Sequence, residues 1–213
     1  MIRAVALLAV LVLPMLLAGC SKGDDLRPYA IVRRADVWQA VITDADRGRL
    51  SRLSQAWEQA QSDISAAGAD AALAAIGPAA VRDVTAPPML PIAGTYQCRT
   101  VLLGWRQGTP HISPPVQAGE WAGCRITADG ILLRLETAPD AQQYAGTLYP
   151  DVDRLVFLGT VRLAGEMGRQ TYGTDAARDQ VGILEATAPG QWRIALPWPQ
   201  WTARLVLIEI RAA

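Results

Sequence analysis

The chain has 213 residues, with 20 basic and 20 acidic side chains, 1 histidine and 3 cysteines. That length suits one domain of moderate size, or a small domain with a helical extension. A formal net charge of zero supplies no basic face, which argues against nucleic acid as a partner.

The first predicted element is a leader over 1–19. Arg3 precedes an apolar run from Ala4 to Leu16, and small residues then lead to Cys20. A positive end, a short apolar segment and small residues before a cut make a secretory signal. The run contains Pro14 and falls short of the roughly 20 residues that a membrane span needs. Leu17-Ala18-Gly19-Cys20 resembles the lipobox of bacterial lipoproteins. The resemblance implies cleavage before Cys20, a diacylglyceryl group on its sulfur and acylation of the new amino group. Each buried acyl CH₂ contributes about 0.8 kcal/mol, so three chains would hold the protein at a membrane. Residues 20–34 read as a polar tether; Ser21 to Arg34 would reach about 46 Å fully extended. Ser21 directly after the cysteine resembles outer-membrane cargo. The expected location is therefore the cell envelope, lipid-anchored at the outer membrane and facing the periplasm.

Residues 35–77 read as helical. Thr43 precedes Asp44-Ala45-Asp46, a capping hydroxyl with early acids. Leu50, Leu53, Trp57, Ala60 and Ile64 recur at helical spacing and predict one helix from about 44 to 67. Arg47, Arg49, Arg52, Glu58 and Asp63 fall on its other faces. The stripe is expected to pack on the domain; the alternative is an arm that binds a partner. A short helix over about 69–76 stops at Gly77-Pro78. Residues 78–91, with Pro78, Pro87, Pro88 and Pro91, form a linker.

From 92 to the end the pattern has period two. Strands are expected over Thr95–Leu103, Glu120–Thr127, Ile131–Thr137, Tyr144–Tyr149, Arg154–Leu163, Gln180–Thr187, Gln191–Leu196 and Arg204–Arg211. Asp129-Gly130 and Pro189-Gly190 mark turns; 104–119 and 165–179 read as irregular loops. The fold class is α+β: N-terminal helices, then about eight antiparallel strands in a small barrel, with a two-sheet sandwich as the alternative. Gly94-Thr95-Tyr96 resembles the Gly-x-Trp opening of lipocalin-like barrels, where an aromatic ring closes one end. With Cys20 lipidated, Cys98 and Cys124 remain and are expected to pair in an oxidising compartment.

Several segments together resemble a family of uncharacterised envelope proteins of alphaproteobacteria, a domain of unknown function. They include Thr43 to Leu50, Gly94 to Arg99, Cys124-Arg125-Ile126, Gly146 to Asp151 and Arg154 to Gly159. Tyr172-Gly173, Arg178-Asp179, Gln191-Trp192-Arg193 and Leu196 to Pro199 complete the set. The resemblance covers about 36 to the end and implies secretion and a shared fold, with no activity attached.

No reaction constellation stands out. His111 is the lone histidine and lies in a proline-flanked loop, so a Ser-His-Asp set cannot be assembled around it with any G-x-S-x-G. There is no phosphate-cradling glycine loop and no metal-ligand spacing, so no cofactor or metal is expected. A two-carboxylate hydrolase would draw on Asp151, Asp153, Glu166, Asp175, Asp179 and Glu185. A ligand site would draw on Arg99, Arg125 and Arg134, which could hold an anion if they point into a barrel; pointing outward, the favoured reading, they form a solvated face. Trp105, Trp121, Trp198 and Trp201 could rim an opening; Arg99, Arg125, Trp121 and Trp198 are the chosen candidates. The sequence thus points to a lipid-anchored, non-catalytic envelope module. Its partners would be the membrane and either an envelope protein or a small ligand. A carrier of an apolar or anionic ligand inside the barrel is the alternative, and the hydrolase a third.

Overall fold

The computed structural model describes residues 37–106, 108, 113–139, 142–166, 168, 170–200 and 202–213. The leader, Cys20, the tether, His111 and Trp201 lie outside the described residues.

Among the described residues four short α-helices come first: α1 Trp38–Val41, α2 Asp44–Leu50, α3 Leu53–Ala66 and α4 Asp70–Ala74. The Thr43 hydroxyl caps α2, accepting from the Asp46 N–H at 3.2 Å. The single helix expected from 44 to 67 is broken at Ser51 and Arg52. The break lets the chain follow a curved wall, with α2 and α3 on overlapping groups of neighbouring strands. Trp198 fixes the bend: its indole N–H donates to the Arg52 carbonyl at 3.2 Å, and the Arg52 guanidinium lies 5.3 Å from its ring.

Nine strands follow: β1 Gly94–Leu103, β2 Val116–Ala118, β3 Ala122–Asp129, β4 Leu132–Glu136, β5 Gln142–Asp151, β6 Arg154–Leu163, β7 Asp179–Ala188, β8 Gln191–Pro197 and β9 Leu205–Ala212. All pairs are antiparallel, and β9 returns to β1 from Tyr96↔Ala212 to Leu103↔Leu205. The result is a closed eight-stranded meander, which sets aside the two-sheet sandwich. The extra strand, β2, arises within the stretch expected to be irregular. It pairs with the part of β1 that β3 does not reach, since β3 ends its pairing at Cys98↔Ala122 and β2 takes up Val101↔Ala118.

Period two then sorts the side chains. Tyr96, Cys98, Ile126, Leu135, Leu148, Phe157, Leu184, Ile194, Val206 and Ile208 pack together in the interior. Leu135, Phe157, Leu184, Ile194, Val206 and Ile208 have 0% exposure, so no water-sized void touches them. Gly146 and Gly159 face each other across β5 and β6 and make room for the Phe157 ring. A Cβ on Gly146 would fall 2.7 Å from Phe157 Cε2 and 2.5 Å from the Gly159 Cα. The barrel is thus a packed core rather than a container.

The outer wall is apolar on one half only. Ala56, Trp57, Ala60 and Ile64 of α3 cover Val101, Leu103, Ala195, Leu205 and Leu207. Ile42 and its neighbours from α1 and α2 cover Val156, Leu158, Val181 and Ile183. The stripe on α3 is therefore consumed by the chain's own barrel. β3, by contrast, alternates buried and exposed residues, because its outward positions are polar.

Cys98 and Cys124 form a disulfide with Cα atoms 5.7 Å apart, both facing inward at 4% and 5% exposure. Tyr96 lies near the start of β1, its hydroxyl donating to the Ile92 carbonyl at 2.8 Å. It meets the Trp192 ring edge-to-face at 5.7 Å. Trp192 in turn donates to the Met89 carbonyl at 2.5 Å. The proline-rich stretch expected to be a linker is thus strapped across one end of the barrel.

Gly146→Ala is expected to lower unfolding free energy by about 1–3 kcal/mol through overpacking. Gly123→Ala, with open space around it, is expected to be neutral; urea unfolding compares the two. Replacing Cys98 and Cys124 together by serine should cost about 3 kcal/mol, and Ellman titration of the unfolded native chain should find neither thiol free.

Candidate functional site

A row of alternating charge runs around the outside of the barrel. Arg99 of β1 stands opposite Glu209 of β9, Glu209 opposite Arg193 of β8, and Arg193 opposite Glu185 of β7. Cross-strand neighbours of opposite sign support each other. Arg99 Nε pairs with Glu209 Oε2, and Arg193 Nη2 and Nε donate to Glu185 Oε1 at 2.6 and 3.1 Å.

Arg193 is 0% exposed. Its Nη1 donates to the Ala79 carbonyl at 2.8 Å and to the Val81 carbonyl; Nη2 donates to the Arg82 carbonyl at 2.7 Å. The Trp57 ring of α3 lies 4.7 Å from its guanidinium carbon. Burial lowers its affinity for the proton, and Glu185 opposes that shift. One cation therefore joins the barrel wall, α3 and the chain that leads from the helices to β1.

Beside this row lies a cleft of about 220 Å³, walled in part by Arg99, Trp121, Gln191, Glu209 and Arg211. The short connection between β2 and β3 presents Trp121 outward. Arg211 and Arg99 stack on its ring at 3.9 and 4.7 Å from the centroid. Glu209 Oε1 is buried at the wall of this cleft with no hydrogen-bond partner among the described residues, an unmet acceptor. The arrangement offers cationic edges, an aromatic face and one acceptor. It suits recognition.

A second polar cluster lies under α2. Asp46 is 0% exposed and Arg49 7%. Arg49, expected on an outer polar face of the helix, instead pairs with Asp46 and donates to the Asp179 carbonyl at 2.6 Å. The Tyr172 hydroxyl donates to Asp46 Oδ2 at 2.6 Å and accepts from the Thr43 N–H at 3.1 Å. Burial, then the bond to Asp46, pushes the Tyr172 phenol up from its ordinary value. Burial also pushes the Asp179 carboxyl up, against the Gly173 N–H that donates to it at 2.9 Å. Thr43, Asp46, Tyr172-Gly173 and Asp179 came from three separate segments of the family resemblance; the fold brings them together as the joint that seats α2.

Of the four chosen candidates, the structure joins two. Arg99 and Trp121 share the cleft, on the outside of the barrel rather than within it. Arg125 faces solvent on β3, and Trp198 is used at the helix bend. Arg134 is likewise outward, opposite Thr147. Trp105 fastens the end of β1 to α3, its backbone N–H donating to Asp63 Oδ2 at 3.0 Å. Arg193 and Glu209 were missed as site residues by sequence reasoning, and Glu185 was read only as a candidate hydrolase acid, although single charges inside apolar strands signal buried pairs.

The acids proposed for hydrolysis are mostly committed. Asp151 accepts from Trp38 Nε1 at 3.3 Å and Arg154 Nε at 3.1 Å. Glu166 pairs with Arg178, Glu185 with Arg193, and Asp175 accepts from the Ala177 N–H at 2.9 Å. Asp153 is exposed at a hairpin tip.

Fold and wall together define a class: a solid antiparallel meander barrel with a helical layer over half of its outside and polar clefts around it. The chain belongs to the family described as a domain of unknown function, DUF4893, whose model matches residues 38–210. No curated protein and no solved structure matches it.

Arg193→Met is expected to destabilise by about 3–5 kcal/mol, since it leaves Glu185 and three carbonyls without their donor. Hydrogen exchange should rise at 79–82. Arg125→Met should stay within about 0.5 kcal/mol.

Proposed function

We propose that this protein is a lipid-anchored, non-catalytic module of the bacterial cell envelope that recognises its ligand or protein partner on the outside of the barrel. The observation that carries the reading is the filled interior: residues with 0% exposure line it, so the space a lipocalin-like carrier would use is occupied by side chains. Recognition is left to the outer wall, where Arg99, Trp121, Arg211 and the unmet Glu209 oxygen converge. Commitment of the acids to arginines and backbone donors supports the non-catalytic part.

The anchor rests on Leu17-Ala18-Gly19-Cys20. In this reading Cys20 carries the acyl chains, residues 20–34 are the tether, and Ser21 directs the protein to the outer membrane of an alphaproteobacterial envelope. A disulfide-bonded barrel suits an oxidising compartment.

Cys20→Ala should move the protein from the membrane fraction to the soluble fraction; unchanged membrane association would refute the anchor. Native mass spectrometry of the protein extracted from its own envelope should show a companion mass that Trp121→Ala removes. A companion retained by Trp121→Ala places recognition elsewhere.

A further inference from the structure

A second cavity, of about 310 Å³, opens against the outer faces of β4, β5 and β6. Its polar side chains include Arg134, Thr147, Gln170, Thr171 and Tyr172, and its apolar wall includes Val41, Tyr149 and Leu158. Arg134 projects outward here because Leu135 is its inward neighbour. The other arginines of this wall are matched: Arg154 to Asp151, Arg162 to Gln143 and Arg178 to Glu166. Arg134 forms no ion pair among the described residues, and its Nε is buried without an acceptor. Gln170 Oε1, in the same cavity, is buried without a donor.

Two complementary groups, each buried and without a partner, thus belong to side chains that line one concavity. Native interiors rarely leave such groups unmatched. They do not satisfy each other, so a molecule that meets both must bring an acceptor and a donor. A guanidinium is met best by a planar, two-oxygen anion; an amide oxygen is met by a hydroxyl or N–H. The volume lies at the low end of small-molecule sites, and Val41, Tyr149 and Leu158 leave room for a short apolar part. We propose that this cavity binds a small organic carboxylate carrying its own N–H or O–H donor. The carboxylate sits on Arg134 and the donor on Gln170. This deepens the reading of the domain as a recognition module and is independent of the anchor, which Cys20→Ala tests separately.

The test uses the full ¹⁵N-labelled chain in detergent micelles. N-acetylglycine, acetate and inorganic phosphate are titrated while the Arg134 Nε–H resonance is followed, assigned by its loss in Arg134→Lys. N-acetylglycine should shift that resonance saturably and bind more tightly than acetate or phosphate. Arg134→Lys, read from neighbouring amides, should weaken binding at least about tenfold through loss of the paired bonds. Gln170→Leu should reduce N-acetylglycine to the level of acetate. The unaltered protein decides the matter even if a variant misfolds: no saturable shift with N-acetylglycine overturns the proposal, and so does tighter binding of phosphate. Equal affinity in Gln170→Leu removes the donor requirement and overturns the assigned class.

Discussion

Arg193 sits where three parts of the chain meet, and the arrangement depends on its burial. A guanidinium taken out of water must have its donors satisfied, or the fold loses several kcal/mol. Here the acceptors are Glu185 across the sheet and the carbonyls of Ala79, Val81 and Arg82. Trp57 covers the planar face. The positions of α3, of the chain leading to β1 and of the outer charge row therefore follow from one side chain's need for partners.

The same economy governs the inside and the outside of the barrel. Inside, paired glycines give way to Phe157, and the space a ligand could occupy is filled. Outside, apolar strand faces are covered by α1 to α3, and polar faces are left to solvent or to clefts. A barrel with a solid core can still recognise molecules, but only on its wall. The wall provides two settings with different chemistry: Arg99, Arg211 and Trp121 beside an unmet carboxylate oxygen, and Arg134 in one cavity with an unmet Gln170 amide oxygen.

The joint beneath α2 shows how segments distant in sequence act together. Asp46, Arg49, Tyr172 and Asp179 form a buried polar cluster in which Thr43 and Gly173 supply backbone donors. Such clusters are stabilising only when nearly complete. That requirement ties the length of the β6–β7 connection to the placement of the first helices, and gives the segments of the family resemblance a common physical purpose.

Local sequence determined the helical start, the capping by Thr43, the period-two strands and their turns, because these depend on neighbours a few residues apart. It also indicated the disulfide, through the count of thiols left after Cys20. Closure of β9 onto β1, the pairing of β2 and the break at Ser51 were decided by the tertiary structure: closure joins strands about a hundred residues apart, β2 takes up the length of β1 that β3 leaves unpaired, and the break follows wall curvature. The direction of Arg99, Arg125 and Arg134 followed only once register fixed which strand face was inside. Glu209 between Arg99 and Arg193 was illegible for the same reason: a charge in an apolar strand states that a partner must exist, and only the fold says which.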